Sequence, residues 1–459
     1  MPNPKDTDIT ARKAALDILN TLDQGRDLLD TAMESVSGQP SAGFSPPDRK
    51  LVNAIVFGVL RWRRRIDWII GQYAAIPEKK ISPEIMNILR IALFQIFFLD
   101  RVPDYAVVNT AVEMAKRLVS VKSSRFVNGV LRNLLRNRPF DLATVLPEDP
   151  LMALAVSQSF PDWLIRRWVD RFGISETGRL CEAMNQIPPV TVRANTLQTN
   201  RESLQEMLAA ACDTLHPTRY SPVGISFHGP HLSIDQLPPF RKGWFQVQDE
   251  AAQLVSNLLS PRPGETVLDA CAGMGGKTGH IAQLMENIGT LLAVDKDREK
   301  LARLDAEMQR LGIRIVKSRP MDLGTPDWQN LPTGFDRILL DAPCSGTGVI
   351  RRNPDIKWAT DKKDLSRFAN RQLLYLQTLA PYVAISGILV YAVCSMEPEE
   401  NEAVIEKFLK MHPEFVKLTN TSELIGNMAE FIDAAGYFRS FPHIHQMDGF
   451  FAVRLKRGG

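Results

Sequence analysis

The sequence predicts a multidomain protein with an N-terminal all-α domain, a small α/β connector and a C-terminal α/β domain built on a doubly wound parallel sheet. Three observations lead to this prediction. Apolar residues recur at helical spacing from residue 6 to about 138. A Pro-bearing stretch at 138–150 then interrupts the pattern. From about residue 240, short apolar runs typical of buried strands alternate with helical segments. We expect domains at 1–140, 150–238 and 239–459.

The first of these regions carries most of the positive charge. The whole chain has a formal net charge of +3, but residues 1–140 contain 21 Lys and Arg against 14 Asp and Glu. Two basic clusters lie within it: the run from Arg61 to Arg65, and the seven Lys or Arg residues from Lys116 to Arg138, among which no acid occurs. A solvated helix face would explain either cluster alone. Together they favour a nucleic-acid partner, because basic clusters attract phosphate backbones.

Prolines and apolar spacing place individual elements before the C-terminal domain. The prolines at 46–47 and the segment 81–84 mark expected helix starts, since Pro is favoured in the first turn of a helix. After the Pro-bearing stretch, residues 163–168 are typical of a short helix and residues 190–194 of a strand. This mixture predicts the small α/β connector.

Composition narrows the class of protein. A hydrophobic fraction of 44% and a charged fraction of 23% are typical of a globular chain, and no apolar run approaches the roughly 18 residues of a membrane span. The five cysteines lack the C-x-x-C spacing of zinc sites, and their odd number argues against a disulfide framework. We therefore expect a cytoplasmic protein without a metal or a membrane contact, and a monomer.

The C-terminal domain shows strands that lead into cysteine motifs. Expected strands cover 265–269, 289–295, 314–318, 337–340, 387–390 and 448–455, with helices from 276 and over 298–311. Two of these strands end just before Cys344 and Cys394. Because ligands bind outside the carboxyl ends of strands in open α/β sheets, both thiols should face one pocket. A buried Cys is more often a small core residue, but each of these lies among residues suited to a site.

A glycine-rich turn after the first of these strands predicts a nucleoside site. Residues 267–278 run from a strand through Gly273, Gly275 and Gly276 into a helix, and such glycines let the backbone approach a ligand closely. The next strand ends in Asp295, which can accept both hydroxyls of a ribose. A third strand leads to Asp322, which could accept from an adenine amino group. S-adenosylmethionine is the nucleoside cofactor that fits best.

Two other nucleotide motifs come close without matching. A P-loop requires Gly at position 271, where this chain has Cys271, although Gly276-Lys277-Thr278 fits the remainder. The G-x-G-x-x-G motif of dinucleotide enzymes requires Gly where Thr278 stands. Neither a triphosphate nor a dinucleotide is therefore indicated.

These residues resemble the RNA cytosine-C5 methyltransferases of the NOL1/NOP2/Sun family, and they are most similar to the bacterial Sun-type members that methylate small-subunit ribosomal RNA. The resemblance covers most of the chain. Residues 6–138 are similar to a NusB-like RNA-binding domain, and Gly243 to Glu250 resembles the entry motif of the family. Its most specific signature is DAPCSGTGVIRRNPDIKW, residues 341–358. The resemblance implies a C-terminal Rossmann-like methyltransferase domain that uses S-adenosylmethionine.

The resemblance also assigns roles to single residues. Cys394 would be the nucleophile, Cys344 would assist product release, and Asp341 would hold the cytosine edge. The cofactor would lie against Cys271, Ala272, Gly273, Met274, Gly275, Gly276, Lys277, Asp295, Asp322 and Asp341. Two positions depart from the family pattern: Met274 stands where Pro is usual, and Val393 where Thr is usual. Neither departure removes a group with an assigned chemical step.

The chemistry explains why two thiols and an acid belong together. Cytosine C5 is a poor nucleophile, but addition of a thiolate to C6 turns C5 into the nucleophilic carbon of an enamine. A protonated Asp341 could relieve the charge at N3, Lys277 could orient Asp341 or the nucleotide, and Cys344 could help to remove the C5 proton. Strand-end geometry alone leaves the two thiols equal, and DNA cytosine-C5 enzymes place their nucleophile in a Pro-Cys pair.

The expected substrate is an unpaired base, because a stacked base cannot reach such a pocket. The basic and aromatic residues of 351–358 could contact phosphates and stack on bases, or form a surface loop without a role. Two alternatives stay open: a transfer-RNA methyltransferase with the same chemistry, and an RNA-binding assembly factor with a scaffolding methyltransferase domain.

Overall fold

The computed structural model describes residues 4–25, 29–37, 44–138, 141–325, 328, 331–421, 424 and 428–459. The chain forms two compact units, Met1–Gln186 with Ile350–Thr360 and Ile187–Val349 with Asp361–Gly459. We call them the helical unit and the mixed unit. Residues 139 and 140 of the predicted break lie outside the described residues. In the part of the chain that is described, no helix combines the length and apolarity that a bilayer-spanning segment requires.

The secondary-structure elements follow in chain order. The helices are α1 Pro4–Asp23, α2 Leu29–Ser37, α3 Pro46–Tyr73, α4 Pro83–Phe98, α5 Asp104–Leu118, α6 Val121–Arg136, α7 Pro150–Ser157, α8 Asp162–Phe172, α9 Ile174–Asn185, α10 Arg201–Ala209, α11 Pro238–Arg241, α12 Glu250–Leu259, α13 Gly276–Leu284, α14 Arg298–Leu311, α15 Ile356–Ala359, α16 Lys362–Leu379, α17 Glu402–Met411 and α18 Pro442–His445. The strands are β1 Val190–Ala194, β2 Thr214–Pro217, β3 Gly224–His228, β4 Phe245–Val247, β5 Thr266–Asp269, β6 Thr290–Asp295, β7 Val316–Pro320, β8 Phe335–Asp341, β9 Val383–Val393, β10 Phe415–Lys417, β11 Tyr437–Ser440 and β12 Phe450–Arg457.

The helical unit packs the apolar faces of α1 and α3–α6 into one core. Helix α3 begins at Pro46, where Ser45 and Asp48 form a capping box, and α4 begins at Pro83. Both predicted helix starts are confirmed. A partly buried ion pair lies beside the core, because Arg90 Nε and Nη2 donate to the two oxygens of Asp67 at 2.6 and 2.8 Å.

The first basic cluster is internal to the helical unit. Arg61 is buried and Nη2 donates to the carbonyl of Arg351 at 2.7 Å, while Arg64 pairs with Asp162 at 2.7 Å. Arg61 and Arg64 are therefore engaged within the fold, so this cluster adds little to the prediction of a nucleic-acid partner. The second cluster is different: α6 contains no acid, and its basic residues Lys122, Arg125, Arg132 and Arg136 are all exposed.

The segment 350–360 belongs to the helical unit although it lies far along the chain. Lys357 is only 2% exposed, and Nζ donates to the carbonyls of Arg61 at 3.0 Å and Ser159 at 3.1 Å and to Oδ1 of Asn185 at 2.7 Å. Trp358 Nε1 donates to a backbone carbonyl of α3 at 2.7 Å. The expectation that 351–358 offers its basic residues to RNA is wrong for Lys357, because all three donors of this ammonium are used inside the unit.

Residues 150–186 belong to the helical unit, and the mixed unit begins at Ile187 with the strand-bearing part of the predicted connector, whose antiparallel sheet has the strand order β2-β3-β1-β4. Its apolar side chains form a small core of their own with α10, including Val192, Leu204 and Phe227. The strand predicted at 190–194 is confirmed as β1.

The large sheet has the order β10-β12-β9-β8-β5-β6-β7, with β11 also paired to β12. Strands β5 to β9 are parallel to one another, as predicted, while β12 runs antiparallel to β9. Neighbouring residues of β5 face opposite cores: Leu268 packs into the core that includes α16 and α17, and Val267 into the core that includes α12, α13 and α14. Burial on both faces explains the continuous apolar runs of these strands.

Candidate active site

The candidate site lies where the strand order of the large sheet reverses. Beyond β5 the chain continues to β6 and β7 on one side, whereas β8 and β9 lie on the other. The carboxyl ends of β5 and β8 are therefore neighbours, and they deliver Asp269 and Asp341 to the same edge. Strand β9 ends at Val393 beside them, one residue before Cys394. Ligands of open α/β sheets bind at such a crevice.

The predicted glycine-rich turn follows β5, and an acid from the next strand holds it. Gly273 and Gly275 have φ values of +55° and +86°, which favour glycine. Gly273 N–H donates to Asp295 Oδ2 at 3.0 Å, and Asp297 N–H donates to Asp295 Oδ1 at 2.9 Å. Asp295 therefore fixes the shape of the turn, and each oxygen retains a lone pair for a ligand.

A cavity of 690 Å³ opens beside this turn. Its lining comes from the turn, the strand ends and the connector, and includes Asp269, Cys271, Ala272, Gly273, Met274, Gly276, Lys277, Asp341, Phe240 and Gln246. A second depression of 810 Å³ is lined by residues including Lys296, Met321 and Asp322. The first volume is in the range of small-molecule pockets. Its apolar walls can contact the base of a nucleoside, and the acids at the ends of β5 and β8 can accept hydrogen bonds from an amino acid joined to that nucleoside.

Asp322, the expected acceptor for adenine, lies two residues beyond β7. Its Oδ1 accepts from the backbone N–H of Gly324 at 2.8 Å, and its carbonyl accepts from Trp328 Nε1 at 2.9 Å. These bonds hold the loop, while the side chain stays partly exposed. The structure thus places Asp322 in the depression beside the Asp295 strand end and leaves it accessible.

Lys277 and Asp341 form an ion pair at the centre of the site. Lys277 Nζ lies 2.5 Å from Asp341 Oδ2, and the side chains are 13% and 28% exposed. Burial alone would lower the pKa of Lys277, but the Asp341 carboxylate outweighs burial and raises it. The ammonium also lies 5.2 Å from the ring centroid of Phe450. Lys277 is therefore an ammonium group that keeps its charge and donates hydrogen bonds at this edge of the sheet.

The two predicted thiols meet. Cys344 Sγ and Cys394 Sγ are 3.3 Å apart, and both residues are partly exposed. Gly348 N–H donates to the carbonyl of Cys394 at 2.9 Å, which joins the two loops through their backbones. The hydrogen bond to Cys394, with burial as the second cause, raises the pKa of Cys344 well above its usual value.

The third cysteine near the site is of another kind. Burial, followed by the carboxylates of Asp295 and Asp341, raises the pKa of Cys271 well above that of an ordinary thiol. A thiol held protonated is a poor nucleophile. Cys271 lines the cavity and supplies shape rather than reactivity.

Two residues at this edge were not assigned from the sequence. Asp269 is 1% exposed, its Oδ2 accepts from Thr278 Oγ1 at 2.7 Å, and its Oδ1 has no partner among the described residues. Burial raises the pKa of Asp269 to about 7. The sequence did contain a signal for Asp269, because this acid ends the strand that precedes the glycine-rich turn. Glu400 is fully buried beneath the two thiol loops, and no local pattern indicated it.

Arg193 connects the connector to the glycine-rich turn. It is fully buried, and its guanidinium donates to Gln246 Oε1 at 2.8 Å, to Gln283 Oε1 at 2.9 Å and to the carbonyl of Gly276 at 3.0 Å. Burial lowers its pKa to about 9. The bond to Gly276 fixes the start of α13, which carries Lys277. Among the described residues, no group of three or more His, Cys, Asp or Glu side chains could hold a metal ion.

Three family models match the chain in the order of its parts. The model of the NusB family matches residues 9–136, and that of a ferredoxin-like domain of RsmF/B-like methyltransferases matches 160–234. The model described as 16S rRNA methyltransferase RsmB/F matches 256–456. The predicted sequence of an all-α NusB-like domain, an α/β connector and a Rossmann-like methyltransferase domain is confirmed.

Whole-chain relatives agree with these matches. A probable ribosomal RNA small subunit methyltransferase B from Synechocystis is 36% identical over 98% of this chain and 100% of its own. The corresponding probable enzyme of Bacillus subtilis is 33% identical over 98% and 99%, and the Yersinia pseudotuberculosis methyltransferase B is 34% identical over 96% and 97%.

Solved structures show the same architecture. The crystal structure of PH0851 has a TM-score of 0.81 and 26% identity, with all of both chains covered. A methyltransferase homolog from Pyrococcus horikoshii has a TM-score of 0.58 and 27% identity over 68% of this chain and 100% of its own. The extent of these similarities, together with the strand-end site, shows that this chain belongs to the RsmB/F family of S-adenosylmethionine-dependent 16S rRNA methyltransferases.

Proposed function

We propose that this protein transfers a methyl group from S-adenosylmethionine to C5 of a cytosine in RNA through a covalent bond between Cys394 and C6. The target we propose is small-subunit 16S ribosomal RNA. One observation carries the proposal: two thiols at adjacent strand ends lie 3.3 Å apart. One thiol is required for addition to C6, and a second group is required to complete elimination.

The glycine-rich turn and the acids beside it suit the cofactor. We propose that residues Cys271 to Lys277 contact it, that Asp295 accepts from its ribose and that Asp322 accepts from its adenine amino group. Asp341 would contact its amino-acid part or the cytosine edge. S-adenosylmethionine supplies an electrophilic methyl group when bound. The fit rests on the 690 Å³ cavity and on the retained lone pairs of Asp295.

Cys394 is the better candidate for the nucleophile. The raised pKa of Cys344 keeps that thiol protonated, so it can donate a hydrogen bond to Cys394 Sγ. The ammonium of Lys277 interacts electrostatically with Cys394. A neighbouring cation and a hydrogen-bond donor both stabilise a thiolate. The structure thus adds a physical reason to the choice that strand-end geometry left open.

The Lys277–Asp341 pair would respond to the negative charge that develops at N3 of the base. When the thiolate of Cys394 adds to C6, electron density moves from the C5–C6 double bond towards N3. The expectation that a protonated Asp341 relieves this charge does not account for the ion pair, in which Asp341 Oδ2 lies 2.5 Å from Lys277 Nζ. Within the pair, Lys277 would keep its proton and donate a hydrogen bond towards N3, so that its positive charge balances the charge developing there, while Asp341 holds the ammonium in place.

Cys344 would complete the reaction. After C5 has gained its methyl group, its remaining proton must leave before the C6–S bond can break. With Cys394 engaged at C6, Cys344 is the sulfur beside the reacting ring. Cys344 would first have to give up its thiol proton to solvent. Its sulfur then takes the C5 proton, the C–H electrons form the C5–C6 double bond, and the C6–S bond breaks so that Cys394 departs as a thiolate.

Placement of RNA is proposed for the helical unit. Helix α6 presents Lys122, Arg125, Arg132 and Arg136 without an acid, which suits a phosphate backbone. The relatives are named for ribosomal RNA of the small subunit, which supports that substrate and a cytoplasmic location. We retain 1–140, 150–238 and 239–459 as the proposed functional domains.

The two thiols provide the decisive test. Cys394→Ala should give neither methyl transfer nor an RNA adduct. Cys344→Ala should add and methylate, then remain attached to RNA as a slow band in a denaturing gel that nuclease removes. Cys212→Ala, which changes a cysteine of the connector core, serves as the control and should behave as the wild type.

Mapping the product tests the substrate. Bisulfite sequencing of ribosomal and transfer RNA from cells that lack the protein should show a lost 5-methylcytosine in small-subunit RNA. Loss of 5-methylcytosine only in transfer RNA would show that transfer RNA is the substrate. No loss in either RNA would favour the assembly-factor alternative. An adduct in Cys394→Ala and none in Cys344→Ala would transfer the nucleophile to Cys344.

A further inference from the structure

Beneath the two thiol loops lies a carboxylate with an unusually full set of partners. Glu400 is 0% exposed. Its carboxylate accepts from the backbone N–H of Ser345 at 2.9 Å, from Ser395 Oγ at 2.6 Å and from Gln372 Nε2 at 3.0 Å, and also from Ser345 Oγ. All these donors are neutral. A buried carboxylate is stable only when its lone pairs are satisfied in this way.

The serine partners of Glu400 are the residues that directly follow the two thiols. Ser345 comes after Cys344 and Ser395 after Cys394, and their hydroxyl oxygens are themselves 3.1 Å apart. A single carboxylate is therefore bonded to both catalytic loops, one residue away from each sulfur. Loops that extend beyond the ends of strands have no sheet ladder to fix them, so this bond set adds side-chain support to the backbone bond from Gly348 N–H to the carbonyl of Cys394.

Two further bonds fix Glu400 itself. Tyr391 OH, on β9, donates to the carbonyl of Glu400 at 2.6 Å. Gln372, on α16, donates to the carbonyl of Pro343 at 3.1 Å as well as to the carboxylate. The acid is thus tied to the strand and the helix that flank the site. The position of Glu400 is therefore set by β9 and α16, which belong to the core of the mixed unit.

A purely structural acid would stabilise the fold without affecting the geometry of the thiols. Two features point beyond that role. The partners of Glu400 lie in both thiol loops, and Glu400 makes no contact with the turn that carries Gly273 and Gly275 in the bonds described above. Loss of the carboxylate should therefore disturb the sulfur pair and leave the cofactor cavity in place.

We propose that Glu400 is a positioning residue that holds the Cys344 and Cys394 loops together and so keeps the two sulfur atoms 3.3 Å apart. The consequence for catalysis rests on the proposed function: the thiol that adds and the thiol that completes elimination act on one base only while this spacing is kept. Glu400 touches neither base nor cofactor in this role.

The spacing can be measured without RNA. A diazenedicarboxamide oxidant joins two thiols as a disulfide and is reduced to the hydrazine, taking up both thiol protons. In the full-length wild-type protein, the Cys344–Cys394 disulfide should form rapidly, as followed by mass spectrometry of the linked peptides. Glu400→Ala should slow its formation at least tenfold. Glu400→Gln, which keeps one acceptor oxygen and the side-chain size, should lie between the two.

A matched control comes from the following helix. Glu406 on α17 is exposed, so Glu406→Gln removes an acid at a similar chain position without touching the thiol loops, and it should oxidise at the wild-type rate. If Glu400→Ala is too unstable to assay, Glu400→Gln decides alone. A wild-type oxidation rate in Glu400→Gln and in any folded Glu400→Ala would overturn the proposal.

Turnover separates this inference from the proposed function. Glu400→Ala should lower kcat for methylation at least tenfold, while KM for RNA and Kd for S-adenosylmethionine stay within about twofold of the wild type. Glu400→Gln should recover part of kcat. A fall in cofactor affinity equal to the fall in kcat would show a general structural role and overturn the inference. If the wild type methylates no cytosine, the proposed function fails, while the oxidation rates still decide whether Glu400 sets the spacing.

Discussion

Replacement of Asp295 by Ala should weaken cofactor binding by a predictable amount. Asp295 accepts from Gly273 N–H at 3.0 Å and from Asp297 N–H at 2.9 Å. The variant loses this support of the glycine-rich turn and the proposed bonds to the ribose. Hydrogen bonds to a charged group contribute about 1.5–3 kcal/mol each. Loss of one such bond corresponds to an affinity roughly ten- to 150-fold lower, and loss of two to an affinity lower by about 150-fold or more.

Calorimetric titration of the full-length protein with S-adenosylmethionine measures this change. Asp295→Asn keeps one acceptor oxygen and should lose less affinity than Asp295→Ala. Glu299→Gln removes an exposed acid in the first turn of α14 and should bind as the wild type does. Unchanged affinity in Asp295→Ala would refute the assignment of the turn as the cofactor site. ATP hydrolysis at a rate that depends on Lys277 would favour the P-loop alternative instead.

Two further predictions concern pH and RNA. Burial raises the pKa of Asp269 from 3.8 to about 7, so between these pH values the folded protein binds a proton that the unfolded chain does not. The stability of the wild type relative to Asp269→Asn should therefore fall as the pH rises from about 4 to about 7, and level off above. A difference in melting temperature between the two proteins that stays constant across this range would contradict the prediction. Replacing Lys122, Arg125 and Arg132 together by Gln should weaken RNA binding and lower the slope of log Kd against log salt concentration by about two to three. An unchanged slope in filter-binding assays would place the RNA contact elsewhere.

Much of the site could be predicted because its determinants are local in sequence. Strand ends are marked by apolar runs that stop at a polar residue, so the convergence of Asp341, Cys344 and Cys394 followed from strand order in a parallel sheet. The glycine-rich turn is likewise encoded in consecutive residues, since Gly273 and Gly275 adopt positive φ values. For these features, tertiary structure only brings together what each segment already specifies.

The features that were missed depend on contacts between distant segments. Glu400 is 55 residues from Ser345, and no periodicity links the two. Lys357 looked like an RNA-binding residue because a basic residue in a polar loop is usually exposed, but three acceptors from distant parts of the chain bury it. The run from Arg61 to Arg65 is a similar case, because Arg61 and Arg64 bond to distant residues within the fold. Charge alone does not show whether its counterparts are solvent, phosphate or the protein's own carbonyls.

The insertion of residues 350–360 into the helical unit has a consequence for biosynthesis. When residues 1–186 have left the ribosome, Lys357 has not yet been synthesised. Its ammonium is therefore missing as the donor to the carbonyls of Arg61 and Ser159 and to the amide oxygen of Asn185. Another 171 residues must be translated first, which takes roughly 10–35 s at bacterial elongation rates of about 5–20 residues per second. The nascent helical unit is therefore incomplete during synthesis of most of the mixed unit. A chain terminated at residue 186 should be held by chaperones or degraded faster than one that extends past residue 360.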